Sequence, residues 1–246
     1  MFHCSVIHNF KIFLVVFFLF QSQINIAQTL KSLADQRGKY IGNLMRDGFF
    51  ADTANFNSGS TDNLVSSEYN TLVLGNKMKM SNLLPNVPTD PSNVQLSDIL
   101  TSNIDTFVNY ANSNSMRKRG HVMIWYKQIP NWLTQAVAGT DDGSPWTAQE
   151  VYDFTRTYIT ALTTYCDGKI DEWDVLNEAL IYNGIRTNIT GAASNTQYTV
   201  WYDIVNSQSA TDGTRDGSGA LVTYTGYKAF FANLFSPLFT FIAVVF

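Results

Sequence analysis

The sequence predicts an α/β fold, and three observations carry that reading. Short apolar runs rich in branched and aromatic residues recur at 40–42, 70–74, 121–126 and 172–176, each too short for a helix and suited to a buried parallel strand. Stretches with helical spacing lie between them: Ile99, Ile104, Phe107, Val108 and Ala111 before the third run, and Val151, Phe154, Tyr158, Ile159 and Leu162 before the fourth. Thr147 followed by Glu150 forms a capping box, whose side chains satisfy amide groups at the start of that second helix. Alternation of strand and helix is the pattern of helices covering a mostly parallel sheet.

The chain opens with Lys11 ahead of the apolar run from Ile12 to Phe20 and a polar stretch ending in small Ala27. Nine apolar residues are too few to cross a bilayer, which needs about 20. The pattern is that of a secretory signal peptide over 1–27, so the mature chain is expected to begin near Gln28 and to be extracellular. Cys4 leaves with the leader. Cys166 then has no intramolecular partner and is expected to be a buried small hydrophobe. Asn188, Ile189 and Thr190 match a glycosylation acceptor.

At 246 residues and 45% hydrophobic the chain buries a core without needing disulfides or a structural metal, and with 14% aromatic residues it is not a disordered acidic chain. A net charge of -4 with no basic stripe excludes nucleic acid as a partner. His121 and Cys166 are the only His and Cys after the leader, too few for a zinc shell, and no Gly-rich nucleotide loop occurs. No cofactor, metal or protein partner is indicated. Residues 28–206 read as one domain. From 207 to 219 the chain turns polar and small, as in an exposed loop or linker, and 229–246 is an uncharged apolar tail broken by Pro237. Three readings of the tail stay open: a helix and strand of the domain, a lipid-anchor signal cleaved near 218–220, or a membrane helix.

Two segments carry chemistry, Arg119 to Trp132 and Glu172 to Ala179. Both end a predicted strand in polar or aromatic groups. In an α/β barrel the carboxyl ends of the strands form the active face, which makes Glu178 the first catalytic candidate. A carboxyl at the mouth of an apolar strand is partly desolvated, which favours the protonated form needed for general acid work. Asn177 beside it suits a sugar hydroxyl, and Trp125 and Trp132 offer flat apolar faces of the kind that pack on sugar rings.

These residues resemble glycoside hydrolase family 10, the retaining endo-β-1,4-xylanases built on a (β/α)8 barrel. That family shows Gly-His, a hydrophobic strand, Trp, Gln and Pro-x-Trp, matched here by Gly120, His121, Trp125, Gln128, Pro130 and Trp132. It also shows Trp-Asp-Val-hydrophobic-Asn-Glu-Ala, matched by Trp173 to Ala179, and Glu-Asn-x-Met-Lys-Trp, recognisable in Gly75 to Met80. The resemblance covers about 30–205 and implies a polysaccharide substrate, β-1,4-xylan or a related β-glycan. It implies Glu178 as acid/base, Asn177 on the sugar 2-hydroxyl, and Asn76, Lys79, His121, Trp125 and Gln128 lining the adjacent subsite. Against this stand plainer readings, in which Asn76 and Lys79 are surface loop residues and His121 is a hydrogen-bonded core histidine. Trp173 and Asp174 read as packing and loop-fixing groups.

The chain also departs from the family pattern. Gly75 stands where the family has Glu, Met80 where it has Trp, and Tyr126 where it has His. Retaining glycosidases use two carboxyl groups about 5 to 5.5 Å apart, yet no Glu follows Glu178; Asp203, Asp212 and Asp216 are the later carboxylates, and no motif surrounds them. The expectation is therefore an incomplete barrel of four to five βα units that lacks its nucleophile and does not hydrolyse xylan alone. The alternative is a non-catalytic, secreted or anchored polysaccharide-binding protein derived from a xylanase.

Overall fold

Four strands, β1 (Gly42–Met45), β2 (Thr71–Leu74), β3 (Arg117–Ile124) and β4 (Glu172–Leu176), form one parallel sheet in the order β1-β2-β3-β4. The computed structural model describes residues 28–46, 60–178, 180–181, 184–185 and 208–235. The leader, Asn188 and residues 236–246 of the apolar tail lie outside them. Parallel strands need crossovers, and helices supply them: α2 (Ser60–Glu68) before β2, α3 (Met80–Leu83) and α4 (Ser102–Ser113) before β3, and α5 (Asn131–Ala138) and α6 (Ala148–Cys166) before β4, while α1 (Leu30–Asp35) precedes β1 and α7 (Tyr227–Phe235) follows the sheet. Two short antiparallel ladders complete the described elements, β5 (Leu180–Ile181) with β6 (Gly184–Ile185) and β7 (Ser209–Ala210) with β8 (Tyr224–Thr225).

The two faces of the sheet differ sharply. Leu72, Leu74, Trp173 and Val175 point toward the helices and join a core with Ile104, Phe107, Phe154 and Tyr158. The opposite, concave face holds an open cavity of about 490 Å³ lined by Tyr40, Thr71, Arg119, His121, Glu172 and Asp174 among others. Side chains alternate across a strand, so Leu72, Leu74, Trp173 and Val175 serve the helix-covered face while Thr71, Val73, Glu172 and Asp174 serve the cavity. This is the geometry of the first four strands of a (β/α)8 barrel, with the cavity on the barrel's inner side.

Predicted and observed elements differ by more than one residue at two strands. The first was expected at 40–42 but pairs over Gly42–Met45, because Asn70 fixes the strand entry: its Oδ1 accepts from Ile41 N at 2.8 Å and its Nδ2 donates to Lys39 O at 2.9 Å. Tyr40 is left 65% exposed. The third was expected at 121–126 and runs Arg117–Ile124, its start hidden by charge. Lys118 pairs with Asp171 at 3.2 Å and Arg117 with Glu172 at 3.4 Å, which lets a basic segment enter a sheet. Trp125 and Tyr126 lie beyond the strand.

The capping box at Thr147 is formed. Glu150 N donates to Thr147 Oγ1 at 3.3 Å and Thr147 N to Glu150 Oε2 at 2.7 Å. The polar stretch after 207 begins by docking on this same helix start: Gln208 Oε1 accepts from Ala148 N at 3.0 Å, and Gln149 exchanges bonds of 2.8 and 3.0 Å with Thr211. Residues 213–221 are exposed. From the apolar tail, α7 packs on α6 with Phe230 edge-on to Tyr152 at 5.3 Å. The Tyr152 hydroxyl donates to Asn233, and Asn233 and Tyr224 both donate to Asp212 Oδ2, at 3.0 and 3.1 Å. Among the described residues no helix is long and apolar enough to cross a membrane.

Candidate active site

The carboxyl ends of β2, β3 and β4 gather most of the candidate residues. After β2 the chain passes Gly75 and makes a 3-10 turn over Asn76–Met78. Gly75 sits tight against β1, where an added Cβ would stand 3.0 Å from Met45 O and 3.3 Å from Leu44 Cδ1. Buried Met78, Met80 and Leu83 anchor this loop. Their burial carries Lys79 across the end of β3, where it is 9% exposed, with Nζ 3.2 Å from Asn76 Oδ1 and 4.2 Å from the Trp125 ring centroid. A buried ammonium needs such partners, since desolvation otherwise outweighs its other contacts.

The loop after β3 is locked to the loop after β2. Ser81 N donates to Gln128 O at 2.8 Å, and Trp125 meets Tyr126 edge to face at 5.3 Å. Gln128 has φ 52°, in the left-handed region that costs a non-glycine residue about 1 kcal/mol or more. After β4, Asn177 N donates to Ile124 O at 3.0 Å, extending the ladder by one step and placing Asn177 beside Trp125. Glu178 follows with φ 53°, a second strained position, and is exposed at the mouth. The partial desolvation expected of it is therefore not supplied by the described residues.

His121 lies deeper, on the concave face, and is the one predicted site residue that lines the cavity. Its Nδ1 donates to Asp174 Oδ2 at 2.8 Å, which leaves Nε2 as the acceptor in the neutral ring. Arg119 Nε reaches the two Asp174 oxygens at 3.1 and 3.2 Å, and its guanidinium Nη2 closes a further short contact. Burial pushes the Asp174 carboxyl up, but hydrogen bonds from His121 and Arg119, with the charge of the guanidinium, outweigh burial and hold it below the ordinary carboxylate range.

The structure thus brings Asn76, Lys79 and Trp125 into contact, ties Gln128 and Asn177 to the same strand ends, and sets His121 below them on Asp174. Sequence reading missed Arg119 and undervalued Asp174. The available signal was alternation: Arg119 and His121 share a face of β3, and Asp174 pairs with His121 across to β4. Trp132, expected as a second sugar platform, is instead turned into the core. Its Nε1 donates to Leu84 O at 3.1 Å, and it packs edge-on against Phe154 at 5.6 Å. Trp173 is a packing residue, buried over Gly120.

A family model described as Glycosyl hydrolase family 10 matches residues 29–211. Endo-1,4-beta-xylanase C of Paenibacillus barcinonensis is 28% identical over 156 residues, covering 63% of this chain and 12% of that protein. Endo-1,4-beta-xylanase A of Phanerodontia chrysosporium is 28% identical over 171 residues, covering 69% of this chain and 37% of that protein. Among solved structures, GH10 from Paenibacillus barcinonensis superposes with a TM-score of 0.60 at 24% identity, over 89% of this chain and 51% of that one. Native xylanase 10B from Thermotoga maritima gives 0.58 at 20% identity, over 85% and 48%. The chain spans about half the length of these two structures. With the family model matching most of the chain and the parallel strands of a (β/α)8 barrel beneath the matched motifs, the protein belongs to glycosyl hydrolase family 10.

Proposed function

We propose that this chain carries the acid/base half of a β-1,4-xylan site, with Glu178 as the acid/base. The convergence of Lys79, Asn76 and Trp125 at one strand-end mouth supports the reading most strongly, because a buried ammonium braced by an amide and an indole is a fixed donor rather than a surface charge. Lys79, Asn76 and Gln128 hold sugar hydroxyls, Trp125 packs on a ring face, and His121 Nε2 accepts from a hydroxyl that reaches into the cavity. Asn177 orients the 2-hydroxyl beside the bond to be cleaved. Glu178 protonates the leaving oxygen, and a second carboxyl about 5 to 5.5 Å away would attack the sugar in a retaining reaction. No glutamate follows Glu178 in the 246 residues, so this chain by itself binds xylan without hydrolysing it.

A polysaccharide-binding protein without catalysis is the second reading, favoured by the exposure of Glu178 and the lack of a later glutamate. Lys11 and the apolar run to Phe20 support export, with a product that begins near Gln28; amino-terminal sequencing of the secreted chain checks this. Tryptophan fluorescence titration with xylotetraose tests the site itself. Lys79→Ala removes a charged hydrogen bond of about 1.5–3 kcal/mol, so binding is expected to weaken at least tenfold. Unchanged affinity in Lys79→Ala, in a variant with a native thermal midpoint, would show that sugar binds elsewhere.

A further inference from the structure

Two ammonium groups stand near the Trp125 ring at the mouth of the sheet. Lys79 Nζ is 4.2 Å from the Trp125 ring centroid, while Lys127 Nζ is 6.0 Å from that ring and 5.2 Å from the Tyr126 ring. Their situations differ. Lys79 is buried, with Asn76 and the indole around it. Lys127 is exposed and, among the described residues, joins no salt bridge. Asp174 does not neutralise Lys127, because both its oxygens accept from Arg119 and His121. Gly75 brings no carboxylate either, and the Met45 carbonyl oxygen, 3.0 Å from where a Cβ on Gly75 would stand, leaves no easy room for one.

We propose that Lys127 is a specificity residue that reads a carboxylate on the sugar chain, so that the site favours β-1,4-xylan bearing hexuronic acid side groups over the undecorated chain. The proposal rests on the xylan reading of this mouth. Trp125 and Tyr126 are aromatic surfaces of the kind that pack on a sugar, and the Lys127 ammonium lies within 6.0 Å of both ring centroids. A side group projecting from a sugar seated there meets that ammonium. Because the ring faces already attract the ammonium, fewer rotamers are lost when the carboxylate arrives.

The contact is solvent-exposed, so its expected effect is modest, roughly twofold to fivefold in affinity, and sensitive to salt. The test is isothermal titration of the full chain with xylotetraose and with the same backbone carrying one glucuronic acid group, in low salt and in about 0.5 M NaCl, where screening is near-complete beyond a few Å. The acidic ligand is expected to bind tighter by that factor in low salt, and its advantage to vanish in high salt and in Lys127→Gln. Equal affinities for the two ligands, or a preference that survives Lys127→Gln, would overturn the proposal while leaving the xylan reading intact. If neither oligosaccharide binds, the xylan reading has failed and the specificity proposal fails with it.

Discussion

At the scale of single residues, Asp174 connects chemistry to stability. Its side chain is 5% exposed and accepts from both Arg119 and His121. Removing it strands a guanidinium beside an imidazole; since Arg119 is itself 32% exposed, water makes up part of the loss. Asp174→Ala is expected to cost about 2–3 kcal/mol in urea unfolding, below the range for a fully buried pair. The same carboxyl leaves a pH signature. Its folded value is lowered, so its stabilisation is complete above the ordinary unfolded value of about 4 and is lost as pH falls through the folded value. Asp212 acts in the same window: burial pushes it up, but bonds from Thr214, Asn233 and Tyr224 outweigh burial and hold it at about 2. The urea midpoint of the native chain should therefore drop between about pH 4 and 2, and Asp174→Asn should flatten part of that drop. The placement of Trp125, Asn177 and Glu178 just past strand ends was legible in the sequence, because each follows an apolar run. Asp174 was not, since its partners lie on the neighbouring strand and no single segment displays them. Trp132 misled for a similar reason: a tryptophan near a motif looks the same in sequence whether its indole faces sugar or, as here, Leu84 and Phe154.

At the scale of elements, periodicity and capping proved readable where charge did not interrupt them. The spacing of Ile104, Phe107, Val108 and Ala111 gave α4 its buried face, and Thr147 marked the start of α6 to the residue. Thr147→Ala is expected to cost about 1 kcal/mol, checked by thermal or urea unfolding. The start of β3 escaped notice because Arg117, Lys118 and Arg119 look like a surface segment until Glu172, Asp171 and Asp174 are seen opposite them. The β3–β4 contact also depends on a missing side chain. A Cβ on Gly120 would lie 2.3 Å from the Trp173 ring, a distance that only displacement of the buried indole relieves. Gly120→Ala is therefore expected to destabilise by about 3 kcal/mol, at the upper end for overpacking, and to blue-shift or broaden the Trp173 signal in near-ultraviolet spectra. A variant as stable as the parent would mean that the indole is not held against β3.

At the scale of the molecule, the sheet buries one face under helices and leaves the other as a cavity of about 490 Å³ beside exposed Tyr40 and Leu44. An α/β fold with one face of a parallel sheet open was legible from the number of strand runs; what holds the chain after 207 was not. The stretch 227–235 is apolar nearly all round, so its sequence did not reveal which side meets α6, whereas Tyr152, Asn233, Asp212 and Tyr224 fix it through side chains far apart in sequence. Open sheet edges and exposed apolar side chains favour association, and among the described residues Tyr40 and Leu44 are exposed beside the cavity. The purified 246-residue chain is accordingly expected to self-associate in sedimentation velocity, and a monodisperse monomer would count against an open inner face in solution. The most direct test of the central claim measures binding and cleavage together. Xylotetraose is titrated into the purified chain by calorimetry while reducing ends are counted in the same solution. Saturable binding that is lost in Lys79→Ala, with no release above the blank, is the expected result. Release of reducing sugar that stops in Glu178→Ala would contradict it, by showing that the chain already holds both halves of a working site.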